Sequence, residues 1–113
     1  MASAEKQVKD TQDKLMKCWA DNDFDKLMTF YADDAIVSFP GFPLCRGKKE
    51  IREAFVAGAP DMPPQLTFLS DRVFVSGEYL YDRGLIKEMN AGYITVFRKK
   101  GDCLEVVDDM SVA

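Results

Sequence analysis

Two pairs of adjacent carboxylates, Asp33-Asp34 and Asp108-Asp109, stand out as acid–base groups in this 113-residue chain. A general acid or base at neutral pH needs a carboxyl whose proton affinity is raised by burial, so the element that carries each pair decides its use. Asp33-Asp34 follow Phe30-Tyr31-Ala32, between an expected helix end and a short apolar run, where aspartates close turns through their own side chains. Asp108-Asp109 fall inside Cys103 to Val112, a run rich in β-branched residues, and neighbouring strand residues point to opposite faces. Strict alternation puts Leu104, Val106, Asp108 and Met110 on one face and Glu105, Val107, Asp109 and Ser111 on the other. One aspartate therefore faces inward. Paired with Arg83 or Arg98 it is structural; buried among aromatic rings it can move a proton. Tyr31, Tyr79 and Tyr93 add hydroxyls able to orient a small ligand.

Other chemistries are excluded by residue type. The chain has no histidine, which removes Ser-His-Asp and Cys-His catalysis, imidazole metal ligation and a histidine pH switch. Cys18, Cys45 and Cys103 form no Cys-x-x-Cys pair, and each is expected to be a buried, reduced thiol. Neither carboxylate pair offers the convergent oxygens of a divalent-cation site, so no metal and no cofactor are expected. Fifteen basic residues against 19 acidic give a net charge of −4. The basic clusters (Arg46 with Lys48 and Lys49; Arg98 to Lys100) lie near acids, which argues against nucleic acid as a partner. Residues Met1 to Val8 are polar, and the longest uncharged run, Ala35 to Cys45, is broken by Pro40 and Pro43; neither suits a membrane, and a reducing, cytoplasmic location is expected.

The elements that must position these groups follow from periodicity. Ser3 to Ala20 reads as a helix with Val8, Leu15 and Trp19 on one stripe and Gln12 between them. Asp23 caps a second helix carrying Phe24, Leu27, Met28 and Tyr31 on one face. Ala35 to Phe39 is a short strand ended by Pro40-Gly41-Phe42-Pro43, and a third helix from Gly47 to Ala57 buries Ile51, Ala54 and Phe55. Leu66 to Val75, Tyr79 to Lys87, Ala91 to Lys99 and Cys103 to Val112 are four strands at hairpin spacing, with Gly84 marking a bulge. The chain therefore predicts one α+β domain over residues 1–113: three N-terminal helices packed in a strongly curved antiparallel sheet. Such a sheet makes a cone with an apolar interior, and Phe42 with its flanking prolines is placed to cover the mouth.

Several strings, in order, resemble the nuclear-transport-factor-2-like superfamily. They are Trp19 to Leu27, Phe30-Tyr31-Ala32-Asp33-Asp34-Ala35, Arg46-Gly47 before a helix, Gly92 to Lys99, and Val106 to Ser111. The resemblance spans roughly Lys14 to Ser111 and is nearest the SnoaL-like and ketosteroid-isomerase-like branch, which implies a cone-shaped, cystatin-like α+β barrel. Ketosteroid isomerase needs a carboxylate base and two oxyanion donors. The resemblance places Phe39 at the base, Leu15 at the tyrosine donor and Tyr93 near the acid donor, so that mechanism is not expected here. A Trp common in the last strand is replaced by Leu104. The resemblance singles out Asp109 as the inward aspartate. The alternating strand faces lead us to expect a homodimer through the convex sheet face, with Leu80, Ile86, Ile94 and Val96 partly buried between subunits. The expected pocket is lined by Leu15, Trp19, Tyr31, Phe39 and Phe55 from the first half and by Tyr79, Tyr93, Phe97 and Asp109 from the second. The reading is a small apolar ligand bound without catalysis. The alternatives are an isomerase, cyclase or dehydratase using Asp109, or a protein-association module.

Overall fold

The computed structural model describes residues 3–39 and 43–112, so the expected Phe42 flap lies outside the described residues. Helix α1, Ala4–Ala20, begins where the Ser3 hydroxyl accepts the Lys6 N–H at 3.2 Å, and it buries Val8, Thr11, Gln12, Leu15, Cys18 and Trp19. Helix α2, Phe24–Met28, is capped by Asp23 in the same way.

The second helix is shorter than its periodicity predicts. Tyr31 is already the first residue of strand β1, Tyr31–Ser38, and the Val106 N–H donates to the Phe30 carbonyl at 2.7 Å. The 24/27/28/31 pattern suits a helix, but pairing with the last strand claims Tyr31 for the sheet. Asp33 and Asp34 accordingly lie in a strand, not in a turn, and both are exposed. A register shift between Tyr31 and Ile36 lets Ala32, Ala35 and Val37 stay buried around them. Strand β2 is only Cys45–Arg46, too short for a sequence pattern, and leads into α3, Gly47–Gly58. Gly47 sits at φ +82, where a side chain would be strained.

After a 3₁₀ turn at Ala59–Asp61, strands β3 (Phe68–Ser76), β4 (Tyr79–Ile86), β5 (Ala91–Lys100) and β6 (Cys103–Val112) form a meander. The six-stranded sheet has the order β2-β1-β6-β5-β4-β3 and is curved but unclosed. Its pairs are antiparallel apart from β1 and β6, which run parallel. Bulges bend it. The β3/β4 register shifts between Ser70 and Arg72 opposite Gly84, where a Cβ would run into the Leu69 carbonyl. Helical residues Val8, Leu27 and Ile51 pack with Leu80, Phe97 and Val106 of the sheet in one core.

A second shift, between Val96 and Phe97, corrects the alternation expected in β6. Val107 becomes the extra residue, so Leu104 and Val106 before it and Asp109 and Ser111 after it are all buried. The expected interface residues Leu80 and Ile86 also point inward, because β4 turns its even-numbered residues to the core; Ile94 and Val96 keep the outward parity. Cys18 and Cys45 are buried free thiols, whereas Cys103, at the tip of the β5/β6 hairpin, is exposed. Among the described residues no helix is long and apolar enough to cross a membrane.

Candidate functional site

A cavity of about 40 Å³ lies between the helices and the sheet. Met16 and Trp19 of α1, Leu27 of α2, Tyr31 of β1, Phe39, Phe55 of α3, Met62, Leu66 and Asp109 of β6 wall it. Phe55 is the hub of the rings. Its centroid lies 5.8 Å from Trp19 at 85°, 5.9 Å from Tyr31 at 73° and 5.7 Å from Phe39 at 37°. The Trp19 indole N–H donates to the Pro63 carbonyl at 3.0 Å, which ties the irregular segment bearing Met62 and Leu66 over the cavity. Met16 and Leu66 also line a groove of about 630 Å³ between α1 and β3, so these two flexible side chains are the partition between cavity and groove.

Among the described residues Asp109 is the one carboxylate in the cavity wall. Its Oδ1 accepts from the Thr95 hydroxyl at 3.1 Å, and this is its single hydrogen bond among the described residues. Burial raises its pKa to about 7, partly offset by the Thr95 bond and reinforced by the buried carboxyl of Asp82. At neutral pH the group thus sits near half-ionisation, where a carboxyl serves equally as acid and base. The Tyr31 hydroxyl is pushed well above the ordinary phenol range by burial and then by Asp109, so it stays a neutral donor.

Next to the cavity is a polar cluster that no local pattern in the sequence brings together. Asp82 is fully buried in β4. Its Oδ2 accepts from the Tyr93 hydroxyl at 2.7 Å and from the Gln12 amide, while its Oδ1 has no partner among the described residues. The Tyr93 oxygen also lies 3.3 Å from the Ser70 hydroxyl, and burial raises its pKa. Asp82, Thr95 and Asp109 are register neighbours across β4, β5 and β6, forming a polar row over the inner face. The signal for Asp82 was present: it lies in phase with Leu80 and Ile86, and Gln12 lies on the buried stripe of α1. A carboxylate in an apolar phase is easily taken for a surface residue, and only the fold shows that Gln12 and Tyr93 meet it.

The structure gathers Trp19, Tyr31, Phe39, Phe55 and Asp109 around one cavity. It sends the other expected lining residues elsewhere. Leu15 and Phe97 are packed in the core, Tyr93 is engaged with Asp82, and Tyr79 has the outward parity, opposite Arg98. Asp108 is half-buried on the outer face, its carboxyl raised by burial and by Asp34. Among the described residues no three carboxylate or cysteine side chains converge as metal ligands would.

Comparisons with known proteins come down on the same fold. A ketosteroid isomerase-like protein from Erwinia carotovora atroseptica superposes with a TM-score of 0.75 at 14% identity, over 94% of this chain and 92% of that one. A protein proposed as a dehydratase of the nuclear-transport-factor-2-like family, from Streptomyces avermitilis, gives 0.68 at 14% identity, over 96% and 94%. A protein proposed as a calcium/calmodulin-dependent protein kinase II association domain, from Xanthomonas campestris, gives 0.77 at 16%, over 94% and 84%. A search of curated proteins finds no match. Identities this low carry the fold and not the activity. The SnoaL-like domain matches residues 13–107, from the first helix to the bulge of the last strand, and the chain belongs to that family.

Proposed function

We propose that the cavity binds a small, largely apolar molecule and holds it without chemistry, with Asp109 as its polar contact. The observation that carries this reading is the composition of the wall: apolar and aromatic side chains with a single buried carboxyl and a neutral tyrosine hydroxyl. Those are the side-chain types of ligand sites in general, in a space of about 40 Å³ that holds only a few heavy atoms. A ligand larger than the cavity extends past Met16 and Leu66 into the α1/β3 groove. The test is a two-dimensional NMR titration with ketones and alcohols of five to eight carbons. Saturable shifts at Trp19, Tyr31, Phe55 and Asp109, abolished in Leu66→Trp, support the site; shifts that are scattered or never saturate sink it.

A second reading, acid–base catalysis of the isomerase, cyclase or dehydratase type, is favoured by the place of Asp109: a buried carboxyl in the cavity wall, bonded to Thr95 alone among the described residues, whose proton affinity burial raises. In it Asp109 takes a proton beside a carbonyl and Tyr31 donates to the developing oxyanion. Tyr93 is the weaker partner because its hydroxyl already donates to Asp82. The check is deuterium incorporation into a bound ketone in D₂O. Exchange at the uncatalysed rate, or exchange unchanged in Asp109→Asn, ends this reading.

The convex face supports self-association. Tyr81, Leu85, Ile94, Met110 and Val112 are exposed on neighbouring strands of that face, an apolar patch suited to a second copy of the chain.

A further inference from the structure

We infer that the cavity is built for an organic ammonium group, so that the ligand is an amine with an apolar body; this rests on the ligand-binding reading above. Two independent features of the wall point to a cation. The first is the arrangement of rings. Trp19 and Tyr31 stand nearly at right angles to Phe55, and Phe39 lies tilted against it, so several ring planes bound one small space. Aromatic faces carry negative charge density, so a cation in the cavity is attracted wherever one of these lining rings turns its face to it. The second is Asp109. It is more than nine-tenths buried and lines the cavity, and among the described residues only one of its oxygens is hydrogen-bonded. The other acceptor is available to a donor inside the cavity.

Nothing in the described interior balances this carboxyl. The groups around Asp109 are Tyr31 from β1, Thr95 from β5 and the buried carboxyl of Asp82 from β4; α1, α2 and α3 bring no charged side chain to the cavity. Neither Asp82 nor Asp109 joins any of the ion pairs among the described residues. When Asp109 is ionised, an ammonium group would supply the counter-charge that the described interior lacks, which a neutral alcohol cannot. Size fits the division of space. A cavity of about 40 Å³ takes a head group of a few atoms, and a short apolar body would lie along Met16, Leu66, Phe68, Leu69 and Val73, the apolar part of a groove of about 630 Å³. The groove carries Glu5 and Asp13 against Lys9, whose ammonium lies 3.5 Å from Asp13, so its own charge leans negative.

The proposal is tested by titrating the purified chain with hexylammonium, 1-hexanol and hexanoate at pH 8, reading the emission of Trp19, the single tryptophan, and the heat of binding. Hexylammonium is expected to bind at least ~10-fold more tightly than hexanol, from cation–π and charge pairing together, and hexanoate least tightly. Asp109→Asn should remove the charge-pairing share of that preference and leave only what the rings supply. A cation that pairs with Asp109 must meet it ionised, so hexylammonium affinity should fall by about tenfold per unit as pH drops below 7 and protons should be released on binding at pH 6.5. Hexanol binding as tightly as hexylammonium overturns the amine proposal and leaves the apolar-ligand reading standing. Saturable binding by none of the three removes both.

Discussion

At the residue scale the chemistry rests on two buried aspartates with different surroundings. Asp82 is held by Tyr93 and Gln12, and Asp109 has a single bond from Thr95 and faces the cavity. That difference gives Asp109 a stability signature. Its carboxyl is raised from 3.8 to about 7 on folding, so between those values the folded chain holds a proton that the unfolded chain has lost. Stability attributable to this group is therefore greatest below pH 4, falls by about 1.4 kcal/mol per pH unit across the window, and is level above it. Asp109→Asn keeps an acceptor for Thr95 but cannot ionise. Urea denaturation at pH 4.5, 6, 7 and 8 should show the variant gaining on the natural chain as pH rises to 7, with no further gain at 8. A constant difference would mean that the carboxyl is not buried in the folded state.

At the element scale the site depends on how the sheet bends and what is tied across it. Gly84 faces the Leu69 carbonyl at the β3/β4 bulge, where a methyl group has no room. Gly84→Ala should cost about 3 kcal/mol as the two strands are forced apart, measured as a drop in the urea midpoint. An unchanged midpoint would show that β3 yields freely there. The indole of Trp19 ties the irregular segment before β3 to α1 through the Pro63 carbonyl. Trp19→Phe removes that bond, worth about 1 kcal/mol, and should speed hydrogen exchange at Leu66 and Thr67 with α1 amides unaffected. Uniformly faster exchange would place the effect in the core instead.

At the scale of the whole molecule the open question is assembly. Ile94 and Met110 are register partners on the convex face, and both are exposed in the single chain. If that face joins two copies, light scattering at about 10 μM should give twice the 12.8 kDa chain mass. The double variant Ile94→Lys and Met110→Lys should be monomeric with an unchanged far-ultraviolet circular dichroism spectrum. A natural chain that is already monomeric refutes the dimer.

The sequence by itself determined the order of elements, the α+β class and most boundaries, because helix caps, hairpin punctuation and apolar periodicity are local properties. Asp23 and the strand runs from Tyr79 to Val112 were legible for that reason. Four of the rings around the cavity were expected there, and the family resemblance favoured Asp109 over Asp108. Tertiary structure decided the rest. Tyr31 left its helix because β6 offers it a ladder, and Val107 broke the alternation because β5 and β6 slip by one residue. Asp82, Gln12 and Tyr93 became one cluster although they lie 70 and 11 residues apart along the chain. Pairing register, bulges and convergence across a bent sheet are set by contacts between distant segments, and a local pattern carries no record of them.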